Sequence, residues 1–456
     1  MYRFALDYMK EWKDRKSRKP LVIRGARQVG KSYLVRMFAG KEFENLIEIN
    51  FERDNKVAAL FEEESPLKIV KLLELQFGKQ IISGKTIIFL DEIQAAPKVF
   101  AKLRYFYEEL PQLHMVAAGS LLEFVLSQSE FSMPVGRIEY LHLGPMTFEE
   151  FLLAGENSNL QDYLRNYSLN EKPPEPIHQK LINLYKTFMS LGGMPQVLSA
   201  FMQTSSFKEA EIIKESIMQT FKDDFSKYGR KINHQCLLNV FTRLSETVGR
   251  KFKYVNIGRE EQAKEIRKSL KLLELAKIAY PVRHSACNGI PLGAEADERI
   301  FKMLFLDVGL MLNSCGLSML DLEKAGDIML VNSGAVAEQT VGQHLLYSQE
   351  CFKEPELYYW IREKKNSEAE LDYVISEGKL IIPVEVKSGK TGRLKSLHQF
   401  TYAKKSELAV RFNAETASFT INTALLSDGN SVEYNLLSLP LYMAEELRRI
   451  IKTIPL

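Results

Sequence analysis

Four cysteines in 456 residues, Cys236, Cys287, Cys315 and Cys351, share no short spacing. That pattern offers neither a zinc-binding pair nor a disulfide framework, and it suits a reducing compartment. Charge of one sign is also lacking. The 61 Lys and Arg against 58 Asp and Glu leave a net +3, so contact with nucleic acid has to come from local patches. No apolar run approaches the roughly 20 residues that span a bilayer; the longest, around Ile87–Leu90 and Leu380–Val384, are strand-sized. The N-terminal stretch MYRFALDYMKEWKDRKSRKP breaks its apolar positions with charge every few steps, unlike a secretion signal. Repeats and low-complexity tracts are missing too. The expectation is a soluble cytoplasmic protein without a membrane partner.

What is present is an ordinary globular composition, 45% hydrophobic and 26% charged, in a chain long enough for two to three domains. The N-terminal third alternates β-rich runs with helical patterns, which predicts an α/β domain. Strands are predicted over Leu21–Arg24, Leu46–Phe51, Thr86–Leu90 and His114–Ala118. A helix is predicted over Pro97–Leu110, with Phe100, Leu103 and Tyr107 at helical spacing. The prolines of Glu171 to Pro176 predict a loop near a domain edge. From about Ile177 to Lys277 the pattern is mainly helical. It returns to α/β from about Gly334, with a helix to Ser348 and strands near Leu357–Ile361, Leu371–Ile375 and Leu380–Val386. A helix at Leu394–Lys404 and a last one at Pro440–Ile451 complete the pattern.

Gly25-Ala26-Arg27-Gln28-Val29-Gly30-Lys31-Ser32 fits the P-loop pattern, directly after an apolar strand and before a helical run. Glycines let the backbone curl so that successive N–H groups face phosphate oxygens, and the following helix adds its positive end. Lys31 would reach the β- and γ-phosphates of ATP, and the Ser32 hydroxyl would ligate Mg²⁺. Downstream, the apolar strand Ile87–Leu90 delivers Asp91 and Glu92 at its end. Asp91 would hold Mg²⁺ through water, and Glu92 would orient and deprotonate the attacking water. Ser120, after the next strand, is a candidate γ-phosphate sensor, the alternative being a helix cap. Arg137 is a candidate arginine finger or sensor, acting in cis or in trans, the alternative being a surface arginine.

These motifs, together with Pro145-Met146-Thr147-Phe148-Glu149-Glu150-Phe151, Gly192-Gly193-Met194-Pro195 and Asp307-Val308-Gly309-Leu310, resemble a prokaryotic AAA-type P-loop ATPase family. Its members usually carry a C-terminal domain of unknown function. The resemblance runs over nearly the whole chain, and its ATPase motifs are the specific part. A ring-like homo-oligomer is expected if Arg137 works in trans.

Between Arg250 and Lys271, eight lysines and arginines face three glutamates, a local surplus of five positive charges. Ala263, Ile266, Leu270 and Leu273 form one stripe, with Lys264, Arg267, Lys268 and Lys271 away from it. A two-stranded ribbon is predicted next, from Ile278–Arg283 through Asn288–Gly293 to Phe301–Asp307. Helix then ribbon suggests a winged helix, as the family resemblance also implies, with its basic residues on DNA phosphates. The alternative is a solvated helix face.

At the C-terminus, Glu385 and Lys387 share one face of the strand Leu380–Lys387, Asp372 stands on the neighbouring strand, and Glu338 on the preceding helix. Such carboxylates suit a hard metal such as Mg²⁺. This order resembles the restriction-endonuclease-like fold of the PD-(D/E)xK superfamily. The resemblance implies Glu338, Asp372 and Glu385 as metal ligands, Lys387 as catalytic lysine and Gln399 as an auxiliary residue. No proline precedes Asp372, a departure from the motif. Cross-strand ion pairing is the alternative.

The expected fold is thus α/β in four parts. Residues 1–155 form a P-loop AAA-type ATPase domain, 156–230 a helical connector, 231–320 a winged-helix-like domain and 321–456 a restriction-endonuclease-like domain. The expected function is an ATPase acting on nucleic acid, with nuclease activity left open. The alternative is an ATP-gated interaction switch with a silent nuclease-like domain.

Overall fold

In the computed structural model, residues 1–120, 122, 134–228, 233–258, 262–317, 333–362, 369–389, 394–426 and 429–455 are described. The chain forms two compact units. The smaller comprises Met1–Pro145 with Lys271–Ile278 and Gln349–Pro355; the larger holds Met146–Leu270, Ala279–Ser348 and Glu356–Leu456. The smaller unit's main segment therefore ends ahead of the expected boundary at 155, because the helix Phe148–Ala154 clusters with the residues that follow it. The expected boundaries at 230/231 and 320/321 lie outside the described residues.

The smaller unit is built on five strands, β1 (Leu21–Arg24), β2 (Asn45–Asn50), β3 (Thr86–Asp91), β4 (His114–Gly119) and β5 (Glu139–His142). They pair all-parallel in the order β2-β3-β4-β1-β5. β3 and β4 are buried along their whole length, which is why each reads as an unbroken apolar run rather than an alternation. Phe100, Leu103 and Phe106 of the helix Pro97–Glu109 pack into a core that includes Ile47, Ile49, Ile88 and Leu90. Tyr107, expected on that apolar stripe, is only half-buried, and Phe106 is the residue that packs inward. The parallel register brings the C-terminal ends of all these strands to one edge: Arg24 lies opposite Gly119, Leu90 opposite Ala117, and Asn50 opposite Asp91. Open parallel sheets bind ligands at this edge.

The larger unit joins helices to a sheet of eight strands. These are β6 (Ala279–Ser285), β7 (Ala296–Phe305), β8 (Leu357–Arg362), β9 (Ala369–Glu377), β10 (Leu380–Val386), β11 (Leu408–Asn413), β12 (Ser418–Leu425) and β13 (Ser431–Pro440). Their order is β12-β13-β11-β10-β9-β8-β6-β7. The pair expected to form a wing is β6 with β7, but β6 also pairs parallel with β8. The ribbon is therefore one end of the large sheet and not a free-standing wing. Along the helix Ala263–Leu275 the expected stripe also shifts: Ala263 is exposed, and Ser269 is buried beside Ile266, Leu270 and Leu273.

Two further corrections concern prolines. Glu171–Pro176 is not wholly a loop, since the helix Glu175–Leu191 begins inside it with Pro176 in its first turn, where a missing N–H costs nothing. Pro440 ends β13 and caps only a short 3₁₀ turn, Leu441–Met443; the last α-helix among the described residues is Leu447–Thr453.

Gly192-Gly193 and Asp307–Gly309, far apart in sequence, meet in the larger unit. The Asp307 carboxylate accepts the Gly193 N–H at 2.6 Å and the Leu310 N–H at 3.1 Å. A Cβ on Gly309 would stand 2.2 Å from the Leu191 carbonyl oxygen. Burial raises the Asp307 carboxyl above its ordinary value, opposed by these hydrogen bonds. The two motifs are thus one packed junction.

Candidate functional site

The P-loop bends off the end of β1 with little room to spare. A Cβ on Gly25 would stand 2.1 Å from the Leu143 carbonyl oxygen, so only glycine permits that approach. Gly30 is left-handed, at φ 93°, and opens the helix Lys31–Glu42. The Lys31 ammonium is buried and donates to the carbonyls of Gly25 at 3.0 Å and Ala26 at 2.8 Å. Arg27 donates to Glu52 at 3.2 Å. Gln28 is left-handed, and Val29 is fully buried beneath the loop.

Asp91 arrives from β3, two strands away from β1. Ser32 Oγ donates to its carboxylate at 2.9 and 3.1 Å, and Asn50 Nδ2 lies 3.4 Å from it. Burial raises the Asp91 carboxyl above its ordinary value, against the pull of the Ser32 hydrogen bond. The hydroxyl and carboxylate expected to share Mg²⁺ are therefore in contact, and this pair fits that ion.

Glu92 follows in a left-handed conformation at φ 50°, and its carboxylate accepts the Gln94 Nε2 at 2.6 Å. Between the P-loop strand and β3 lies β4, and Ser120 at its end is buried with its Oγ lacking a hydrogen-bond partner among the described residues. Arg137 is placed differently. It precedes β5, which neighbours β1 and whose first residue Glu139 lies opposite Leu21, at the end of the strands away from the P-loop. With about 3.3 Å per strand residue, the separation is at least about 10 Å, and Arg137 pairs instead with Glu108 at 2.9 Å. Within one chain it does not join the site.

A residue not singled out by the sequence does join it. Arg3 is buried and donates to Val29 O in the P-loop at 2.9 Å, and to Gly144 O at 2.8 Å and Pro145 O at 3.3 Å, at the end of the smaller unit's main segment. A single arginine ahead of an amphipathic helix gives no local sign of this, because its partners are backbone carbonyls far along the chain.

The C-terminal residues also gather, around an unexpected guest. Lys302 on β7 is 2% exposed, and its ammonium lies 3.0 Å from Glu338, 2.6 Å from Glu370 and 3.9 Å from Asp372. It also sits 5.1 Å from the centroid of the Tyr359 ring. Asp372 accepts the Val386 N–H at 2.7 Å, while Lys387 donates to one Glu385 oxygen. The other Glu385 oxygen is buried without a hydrogen-bond partner among the described residues. Gln399 stands apart from these carboxylates in its contacts, accepting from Arg362.

Burial is the main force on the titration of this cluster. It pushes Glu338 up to about 7, against Lys302, and Glu385 up to about 8, with Asp372 adding to the rise and Lys387 opposing it. Burial lowers Lys302, but Glu338, Asp372 and Glu370 more than reverse that and hold it charged. Among the described residues no group of three or more His, Cys, Asp or Glu is disposed to hold a metal ion. The expected trio Glu338, Asp372 and Glu385 therefore does not fit a metal: the Lys302 ammonium occupies the space the first two would share. A lysine inside the apolar run Ile300–Leu306 was the available signal, since a buried lysine requires partners.

Comparison with known proteins assigns the N-terminal region. The family described as AAA domain matches residues 17–152. Two families described as domains of unknown function, DUF8612 and DUF4143, match residues 182–321 and 333–431. No curated protein matches the chain. Among solved structures, a Walker-type ATPase of Pyrococcus abyssi is 17% identical, with 68% of this chain and 94% of that chain covered and a TM-score of 0.43. The ORC2 protein of Aeropyrum pernix in ADPNP–ADP complexes is 12% identical, covering 68% and 89%, with a TM-score of 0.32. The Holliday junction branch migration motor RuvB of Thermotoga maritima is 15% identical, covering 60% and 82%, with a TM-score of 0.28. These likenesses are too slight to bear on site or partner. The matched family and the parallel P-loop sheet make the N-terminal region an AAA-type ATPase domain. Among the described residues, no helix is long and apolar enough to cross a membrane.

Proposed function

We propose that this chain binds ATP with Mg²⁺ at the P-loop and hydrolyses it. The observation that carries the reading is the contact between Ser32 and Asp91, 59 residues apart in sequence, beside a buried Lys31. The Lys31 ammonium exchanges loop carbonyls for β- and γ-phosphate oxygens, and the loop N–H groups and the helix start at Gly30 bind the remaining oxygens. Ser32 and Asp91 would hold the magnesium ion, which would supply positive charge at the triphosphate. Glu92 accepts a proton from water as its oxygen attacks the γ-phosphorus and the bond to the bridging oxygen breaks. Gln94 orients the Glu92 carboxylate, and Ser120 is a hydroxyl donor for the γ-phosphate. The test is ATP turnover by the full chain: Lys31→Ala and Glu92→Gln each abolish it, with Glu92→Gln keeping nucleotide binding. Turnover that persists in both variants rejects the assignment.

A finger role for Arg137 requires a second copy of the chain, given its place at the opposite end of the strands. The cytoplasm is the compartment this reading assigns, supported by four cysteines that form no disulfide.

Action on nucleic acid is a second reading, favoured by one face of the helix Ala263–Leu275. Lys264 and Arg267 project from it exposed, one turn apart. Lys268 and Lys271 are drawn to Glu265 at 2.7 Å and Glu274 at 3.0 Å, which leaves the patch less basic than its composition. Duplex DNA binding that weakens with salt and with Lys264→Glu plus Arg267→Glu supports this reading. No binding at low salt leaves the nucleotide-gated interaction switch.

A further inference from the structure

We infer that the Lys302 ammonium is the resident cation of the Glu338–Glu370–Asp372 cluster, standing in place of a divalent metal and leaving the C-terminal domain without metal-dependent phosphodiester cleavage. Three observations converge on this. Lys302 points an ammonium to within 3.0 Å of two carboxylates supplied by different elements, the helix Ser333–Tyr347 and β9. Glu370 and Asp372 lie two apart on β9 and so share a face, which is how one ammonium meets both. Finally, Lys302 is almost wholly buried with its ammonium beside the Tyr359 ring, so it has no solvated position to which it can withdraw.

Magnesium asks for six oxygens at about 2.0–2.1 Å around one point. A nitrogen 2.6 and 3.0 Å from carboxylate oxygens already occupies such a point for Glu338 and Glu370. A divalent ion placed among the same oxygens would face that positive charge at contact distance, where solvent cannot come between the two cations. The remaining pair, Asp372 and Glu385, is tied on one side to the Val386 N–H and on the other to Lys387. The backbone scaffold of a metal nuclease and an internal cation can coexist; an internal cation and a catalytic metal at the same carboxylates cannot.

The experiment is a Mn²⁺ titration of the full chain without nucleotide, read by the paramagnetic resonance of free Mn²⁺. Ser32 and Asp91 are intact in every protein compared, so an ion at the P-loop contributes equally throughout. Wild type shows no site that Asp372→Asn removes. Lys302→Ala gains one Mn²⁺ per chain, with affinity raised about tenfold or more, and Asp372→Asn in that background abolishes the gain. Lys302→Arg, which keeps the cation, gains nothing. Wild-type binding that is lost in Asp372→Asn overturns the inference, as does a folded Lys302→Ala with no gain. Should Lys302→Ala fail to fold, the wild-type titration with its Asp372→Asn control decides alone. The outcome is independent of ATP turnover, so failure here and failure of the ATPase reading are distinguishable.

Discussion

Lys31 and Lys302 are both buried lysines, yet their surroundings commit them differently. Lys31 donates to two backbone carbonyls, neutral groups that give up an ammonium readily when phosphate oxygens compete. Lys302 is held by acidic side chains, with Glu338 and Glu370 in contact and Asp372 just beyond. Asp91, at the end of β3, is bound by the Ser32 hydroxyl. A lysine held by dipoles can exchange partners, whereas one held by buried charge is part of the fold. The same residue type thus serves a changing ligand in one unit and a fixed network in the other.

Stability is the sharpest way to break that comparison. Lys302→Ala strands buried carboxylates and lowers unfolding free energy by about 3 kcal/mol or more. Lys31→Ala removes two hydrogen bonds to neutral carbonyls and costs about 1 kcal/mol. Chemical denaturation of both variants measures the difference, and equal losses would remove the distinction.

A smaller effect is expected from Arg3, which braces the P-loop through Val29 O and the chain at Gly144 O. Arg3→Ala loosens the loop and weakens ATP binding by about 1–2 kcal/mol, or roughly 5–30-fold in Kd. Calorimetric titration with a non-hydrolysed ATP analogue reads it; an unchanged Kd would show that the loop holds its form unaided.

The smallest shift concerns a second acidic cluster in the larger unit. Burial, then the neighbouring Glu445, pushes Glu149 up to about 9, and burial pushes Glu445 up to about 8. Around them stand Glu150, Glu446, Gln161, Arg165 and His344. Because the folded state binds these protons more tightly than the unfolded chain, their contribution is complete below about pH 4.5 and is lost as pH rises through 8 to 9. Tm is therefore lower at pH 9 than at pH 6, and Glu149→Gln reduces that difference. A Tm that rises over this interval contradicts the assignment, and with it the claim that protons balance buried charge in this unit.

The P-loop and the acidic end of β3 were legible because their information is local. Gly25 to Ser32 carries both the bend and the ligands within one turn between strand and helix, and Asp91 and Glu92 follow a run apolar enough to be a central strand. Strand and helix signals on either side of the C-terminal cluster were legible for the same reason. The ribbon's attachment to β8 was not, because a strand's alternation says nothing of which neighbour it pairs with.

Sequence by itself determined which stretches could form strands, helices and a phosphate-cradling bend, since those follow from side-chain periodicity and backbone freedom over a few residues. Tertiary structure alone decided that Arg137 lies at the wrong end of the strands to serve its own P-loop, that Arg3 supports that loop, and that Lys302 stands among the carboxylates. Each of those outcomes depends on which distant segments become neighbours, and the electrostatics of a buried charge are set by neighbours rather than by the residue itself.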